Sequence, residues 1–340
     1  MRTFTAYMTA SLSLYLVSAG VDMLKGEPPI SDWNMVPYVL SYSYGVFRRA
    51  LVGTLLHLLG VEPTRGVVLL IYTLAVILFF TLFYLFAARV KDRPLFVPFL
   101  ILFVLSPFTG LHLGDDLGRT DVLLASLLMA SLLLPKLSFG FTAVAILIHE
   151  GYLLLGLPAL ITVLLLRRRY GLLALNVAVG VGVLVALRLI SPGPEILPLL
   201  ERILAERGLS AEQALIPLTS SPLENTLYFY GTFLSSSGDA LKTFAFGFVA
   251  TLGLMGAYAY LFWTSSRAPI LCRLIPLAPL LMFLLGIDYF RWGFFATLSM
   301  AVAWVEMYRM GWAGPPGRWS RPLFYLLLVL PLLEILREVL

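Results

Sequence analysis

The chain has little of what a water-soluble catalyst is built from. A single cysteine, Cys272, excludes an intrachain disulfide and leaves no cysteine cluster for zinc. No twin-histidine metal box occurs: after His149-Glu150, the position that would complete an HExxH motif is Leu153. There is no Walker A loop, no GxGxxG ahead of a strand and no GxSxG nucleophile elbow. Charge is scarcest of all, at 13% of 340 residues, against roughly 25% in soluble globular domains. With so little polar surface the chain is unable to cover itself in water.

What it has in place of charge is hydrocarbon. The sequence is 60% hydrophobic, with a mean hydropathy of +0.92. Runs such as Val67 to Ala88, Gly171 to Ile190 and Leu241 to Trp263 approach or exceed the ~20 residues that cross a ~30 Å hydrocarbon core as a helix. The sequence therefore predicts an all-α, polytopic integral membrane helical bundle in a single domain, residues 1–340. Charged clusters and Gly/Pro breaks divide it into about eleven apolar segments, near 5–24, 66–88, 95–111, 120–134, 138–149, 152–166, 171–191, 241–263, 270–287, 290–307 and 322–337. This amounts to about ten or eleven membrane segments, some too short to span alone and read as re-entrant or interfacial. The first is read as a retained helix and not a cleaved signal, because many spans follow it.

The net charge of +5 does not point to nucleic acid, because the basic residues lie in short clusters between apolar runs and not on one solvated face. Arg89, Lys91 and Arg93, then Arg167 to Arg169, then Arg309, Arg318 and Arg321, fall on one side when the segments alternate, which the positive-inside rule makes cytoplasmic. Apart from Asp92 and Glu306, nearly every acidic residue then falls on the other face. Two outer stretches are long enough for structure of their own, about 21–65 and about 191–240. The first carries Arg48 and Arg49 ahead of a short apolar piece, against the positive-inside trend, and is read as an interfacial pair of amphipathic helices. The second holds a short amphipathic helix over about Glu201 to Arg207.

Four outer regions combine carboxylates with guanidinium groups. Asp115, Asp116 and Asp121 lie within seven residues of one another around Arg119, between glycines that let the backbone turn. Thr120 or Asp121 is alternatively the cap of the next helix. His149-Glu150 interrupts an apolar stretch of about 28 residues, either as a junction of two short helices at Gly151 or as a polar pair inside one long helix. Asp288 and Arg291 interrupt another, where they either neutralise each other across one turn or leave Arg291 to hold an anion, since a planar guanidinium matches phosphate oxygens. Asp32 follows the first helix, beside Trp33 and ahead of Arg48 and Arg49. Ionisable groups beside lipid are costly and mark functional candidates. Carboxylate plus arginine at a bilayer face is the chemistry of a lipid-phosphate donor and of a base that activates a hydroxyl.

This arrangement resembles the GT-C superfamily of membrane glycosyltransferases, over the N-terminal half above all and in architecture, not in a motif. The loop Val21 to Arg65 resembles the family's first outer loop, with Asp32 in Ile30-Ser31-Asp32-Trp33 at the place of its carboxylate and Asp22 as a rival; Asp115 and Asp116 resemble its second acidic site. The chain is similar also to polymerases that join lipid-linked repeat units. The resemblance implies a polyprenyl-phosphate-linked sugar donor, an acceptor glycan, lipid or protein, and assembly of cell-envelope glycan or polysaccharide on the extracytoplasmic face; with no eukaryotic targeting signal visible, a prokaryotic plasma membrane is expected. Asp32, Asp115 or Asp116 is then the expected base, and the other outer charges, Arg48, Arg49, Arg119, Asp121, His149, Glu150, Asp288 and Arg291, are the expected substrate-binding groups. A divalent cation bridging Asp115 and Asp116 is the one cofactor expectation, without a full ligand set. The competing expectation is a transporter or lipid flippase in which the same charges line a path.

Overall fold

A computed structural model describes residues 2–24, 28–220, 222–235, 238–284, 288–315, 317 and 320–327; within its helices the side chains of 21–24, 111, 115, 212, 219, 222–223, 229, 232–234, 238–247 and 284 are not described. Among the described residues the fold is entirely helical, with one isolated backbone bridge between Ser266 and Ala313. Among the described residues three helical stretches are long and apolar enough to cross a membrane: Arg65–Val90, Tyr170–Ile190 and Phe248–Ser265. Two more arise if bent pairs count as one span each, Phe96–Val104 with Pro107–Gly114 and Asp121–Leu133 with Pro135–Ile148. The ten or eleven segments expected, some too short to span alone, include these bent pairs, turned by 50° at Ser106-Pro107 and by 120° at Leu134-Pro135, and the shorter apolar helices Tyr152–Leu166 and Ile270–Phe283. The expected segment 322–337 is helical over 321–327 and otherwise lies outside the described residues.

The Tyr289–Arg309 helix is the axis of the fold. Every residue from Trp292 to Tyr308 is buried, the mark of a helix with neighbours all round. Leu157–Leu166 and Gly238–Ser265 pack against it. Phe108 lies so close to Gly293 that a Cβ there would sit 2.6 Å from its ring. Outside this axis the Arg65–Ala87 helix packs along Asp121–Leu133, and its inward stripe of Phe79, Phe80, Phe83 and Phe86 is wholly buried. The Phe83 and Phe103 rings stack 3.9 Å apart. Tyr170–Ile190 lies at the periphery and buries Asn176, Gly180 and Leu187. Asn176 holds it in place, donating to Ser138 and accepting from Thr142 at 2.8 and 2.7 Å; a buried amide is tolerated because its hydrogen bonds are made.

The connection after the first helix forms the expected short helices, Asp32–Val39 and Leu51–Leu58. Ser31 caps the first, its hydroxyl accepting from the Asn34 amide at 3.2 Å. The two pack so closely that a Cβ on Gly53 would overlap the Leu40 carbonyl. In the second long connection Leu197–Glu206 is helical. It buries Leu200, Ile203 and Leu204 and exposes Arg202 paired with Glu206.

Candidate functional site

The N-terminal end of the Tyr289–Arg309 helix meets the Gly114–Asp121 segment, and there charges far apart in sequence come together. Pro107–Leu111 is a π-helical turn that runs into the short helix His112–Asp115. The Tyr72 hydroxyl donates to the Leu113 carbonyl at 2.8 Å. The chain then reverses at Gly118, whose φ of +88° is left-handed and whose Cα faces Ile30 and Asn34. Only glycine takes that backbone without steric cost.

This turn aims Arg119 between two carboxylates. It pairs with Asp116 at 2.6 Å and with Asp288. Arg291 pairs with Asp121 at 2.7 Å through Nε and Nη2, and stands 3.9 Å from Asp288. The local neutralisation of Asp288 by Arg291 is therefore the minor contact, and each arginine's main partner comes from another segment. Thr120 makes no side-chain cap to the following helix, and Asp121 is engaged by Arg291 instead of capping. Asp121 is 2% exposed, with one carboxylate oxygen carrying no hydrogen bond among the described residues. Burial acts most strongly on Asp288 and pushes its pKa up, but Arg119, Arg291 and the hydrogen bond from Arg119 together hold it below the ordinary carboxylate value.

A second group adjoins the first. His149 takes an extended backbone and ends the Ser138–Ile148 helix, so the chain breaks here into two helices, and Glu150 projects beside Arg48 and Arg49. Arg49 forms a two-point pair with Glu150, at 3.1 Å from Nε and 2.7 Å from Nη2, a geometry particular to guanidinium and carboxylate. Arg49 does so from φ +66°, a left-handed conformation that costs a non-glycine residue energy. Arg48 stands 3.7 Å from Glu150 and donates to the Ser220 carbonyl at 2.7 Å. Burial is the largest influence on Glu150 and raises its pKa, yet the charge of Arg49, its hydrogen bond and the charge of Arg48 outweigh it and hold the carboxyl far below its usual range.

His149 is within electrostatic range of Arg49 and Glu150 in the second group and of Arg291 and Arg119 in the first. Its Nδ1 accepts from the Gly151 amide at 3.0 Å. Burial first, then Arg49 and Arg291, push its pKa well below the ordinary value, so the ring is neutral. With Nδ1 accepting, the ring proton is on Nε2, and that buried Nε2–H has no partner among the described residues. A donor with no partner among the described residues thus stands within electrostatic range of three arginines.

The expected residues divide accordingly. Asp116, Arg119, Asp121, Asp288 and Arg291 converge in one group, and Arg48, Arg49, His149 and Glu150 in a second within electrostatic range of it. Asp32 makes its contacts elsewhere, pairing with Arg65 and accepting from the Ser210 amide at 2.9 Å. The side chains of Asp115 and of Asp22, the rival to Asp32, lie outside the described residues, and with Asp115 goes the bridging cation. Among the described residues no three Asp, Glu, His or Cys side chains form a metal set, and Asp116 is already held by Arg119 and Asn34. Asn34 is the residue that sequence reasoning missed. Buried on the Asp32–Val39 helix, it donates 2.8 Å to Asp116 and 2.9 Å to the Leu117 carbonyl, and its only sequence signal was an amide in an apolar turn.

Comparison with family models, curated proteins and solved structures finds no match to this chain.

Proposed function

We propose that the chain is a polytopic integral membrane protein that transfers a sugar from a polyprenyl-phosphate-linked donor, on the extracytoplasmic face of a prokaryotic plasma membrane. The observation that carries this reading is the convergence of Asp116, Arg119, Asp288 and Arg291, with Arg49, His149 and Glu150 beside them, at one end of an apolar bundle. The membrane part has its own support. Large side chains on the long helices face outward, Leu70 at 60% and Leu189 at 80% exposure, a surface that hydrocarbon solvates and water does not.

In this reading the acceptor hydroxyl attacks the anomeric carbon, the bond from that carbon to the phosphate oxygen breaks, and the departing phosphate keeps the electron pair. Asp116 takes the hydroxyl proton. It is the better placed carboxylate because its side chain is 27% exposed and oriented by Asn34, whereas Asp121 is sealed under Arg291. Arg119 and Arg291 face the phosphate as its charge grows, and His149 Nε2–H donates to one of its oxygens; preorganised donors of this kind lower such barriers most where water is excluded. Glu150 and Arg49 hold the His149 loop in place.

Bent and interrupted helices beside buried charge favour a second reading, a transporter or lipid flippase. The two separate in one experiment. Purified protein in lipid is given a panel of polyprenyl-phosphate and polyprenyl-pyrophosphate sugars, with Asp116→Asn and Arg119→Ala as folded controls. Release of lipid phosphate by the wild type and its loss in the variants supports transfer. Passage of labelled lipid or solute across the bilayer with no donor consumed sinks it in favour of transport.

A further inference from the structure

At the other end of the Tyr289–Arg309 helix, about 22 Å from Arg291 at 1.5 Å per residue, the fold gathers a second set of charges. Glu306 is fully buried and receives Arg167 at 2.9 and 2.8 Å and Arg309 at 3.2 Å. Arg89, within electrostatic range of all three, rests over the Phe86 ring at 4.9 Å. Arg93 lies over the Tyr308 ring at 5.8 Å. Lys91 and Asp92 complete the adjoining turn, both exposed. Five cations thus face two carboxylates, Glu306 being consumed by Arg167 and Arg309, while Arg89 and Arg93 make no ion pair among the described residues.

Beside these charges an apolar cavity of about 80 Å³ opens between the Phe96–Val104, Gly238–Ser265 and Tyr289–Arg309 helices, walled by Phe99, Phe103, Phe262, Ala301 and Trp304. An aromatic column joins the two. Arg93 covers Tyr308, Tyr308 stacks on Trp304 at 4.6 Å, and Trp304 stacks on Phe99 at 4.8 Å in the cavity wall. A cationic rim above an apolar cavity fits a ligand with an anionic head and a hydrocarbon tail. We infer that this is a binding site for an anionic phospholipid of the leaflet at that end, with its phosphate on Arg93 and Arg89 and part of one acyl chain in the cavity. A free phosphate makes no use of the cavity, and a zwitterionic lipid leaves the surplus of positive charge without an offset. The inference rests on the membrane reading above and is independent of sugar transfer.

The test is native mass spectrometry of delipidated protein titrated with phosphatidylglycerol and with phosphatidylcholine of the same chains. One phosphatidylglycerol is expected per chain, at least tenfold tighter than phosphatidylcholine, and millimolar glycerol 3-phosphate is expected not to displace it. Arg93→Ala, which alters an exposed side chain, and Ala301→Trp, which fills the cavity, are each expected to weaken it at least fivefold. Equal binding of the two lipids, displacement by glycerol 3-phosphate, or wild-type binding by both variants overturns the proposal. A carbonate wash of membranes separates the two failures: protein that is released overturns the membrane reading and this site with it, whereas protein that stays but shows no head-group preference overturns this site alone.

Discussion

Arg119 and Asp288 form an ion pair across 169 residues of chain, and the same guanidinium holds Asp116 three residues away. The pair fastens the turn between two helices to the start of the axial helix. Arg119→Ala leaves two partly buried carboxylates facing each other, and a cost of about 1–3 kcal/mol is expected. Arg119→Ala with Asp288→Asn should cost less than the two single changes added together, since the interaction they share is counted twice. Thermal unfolding in detergent of the four proteins measures the difference; strict additivity would show the pair to be energetically idle.

Glu150 makes the fold acid-sensitive in a definite direction. Its folded pKa is depressed below the ordinary value of 4.5, so its stabilisation is complete above that value and is lost as pH falls toward the folded value. Unfolding temperature is expected to drop below pH about 4.5. In Glu150→Gln, which strands Arg49 and Arg48, part of that dependence should vanish while stability at pH 7 falls by about 3–5 kcal/mol.

His149 is expected to stay neutral through the range in which a free histidine titrates. Its folded pKa lies well below 6.5, so the unfolded chain takes up the proton first and stability declines as pH falls below 6.5. Nitrogen-15 spectra of labelled histidine should show an Nε2–H ring with an accepting Nδ1 at pH 7 and no protonation at pH 6. An Nδ1–H signature would contradict the donor assigned to the site.

Gly118→Ala puts a Cβ on a residue at φ +88°, 2.9 Å from Ile30 Cγ2. The backbone conformation alone costs about 1–2 kcal/mol. Because this turn aims both Asp116 and Arg119, turnover should fall more than stability does; circular dichroism and donor consumption measured together decide that.

Glu306→Gln removes the carboxylate from between Arg167 and Arg309 at the other end of the axial helix. A loss of about 3–5 kcal/mol is expected, read as a lower unfolding temperature in detergent; an unchanged temperature would show the buried carboxylate to be dispensable.

Helix positions were legible in the sequence because apolar runs and charged breaks are local. The Leu157–Leu166, Tyr170–Ile190 and Tyr289–Arg309 helices lie where hydropathy and arginine clusters put them. The 120° turn after Leu133 was not legible, since one proline at a break does not say which way the next helix runs. Nor was the central place of Tyr289–Arg309: its composition is no more apolar than that of helices at the rim, and its burial depends on who surrounds it.

For the site, the sequence by itself determined which residue types were present and that they sit at the ends of apolar segments, because burying charge mid-helix is too costly to be common. The tertiary structure decided the pairing. It matched Arg119 to Asp288 and Arg291 to Asp121, moved Asp32 to Arg65, brought in Asn34 and left His149 Nε2–H without a partner among the described residues. Ion pairs depend on distances of a few ångströms between segments up to 170 residues apart, and spacing along the chain carries no such information.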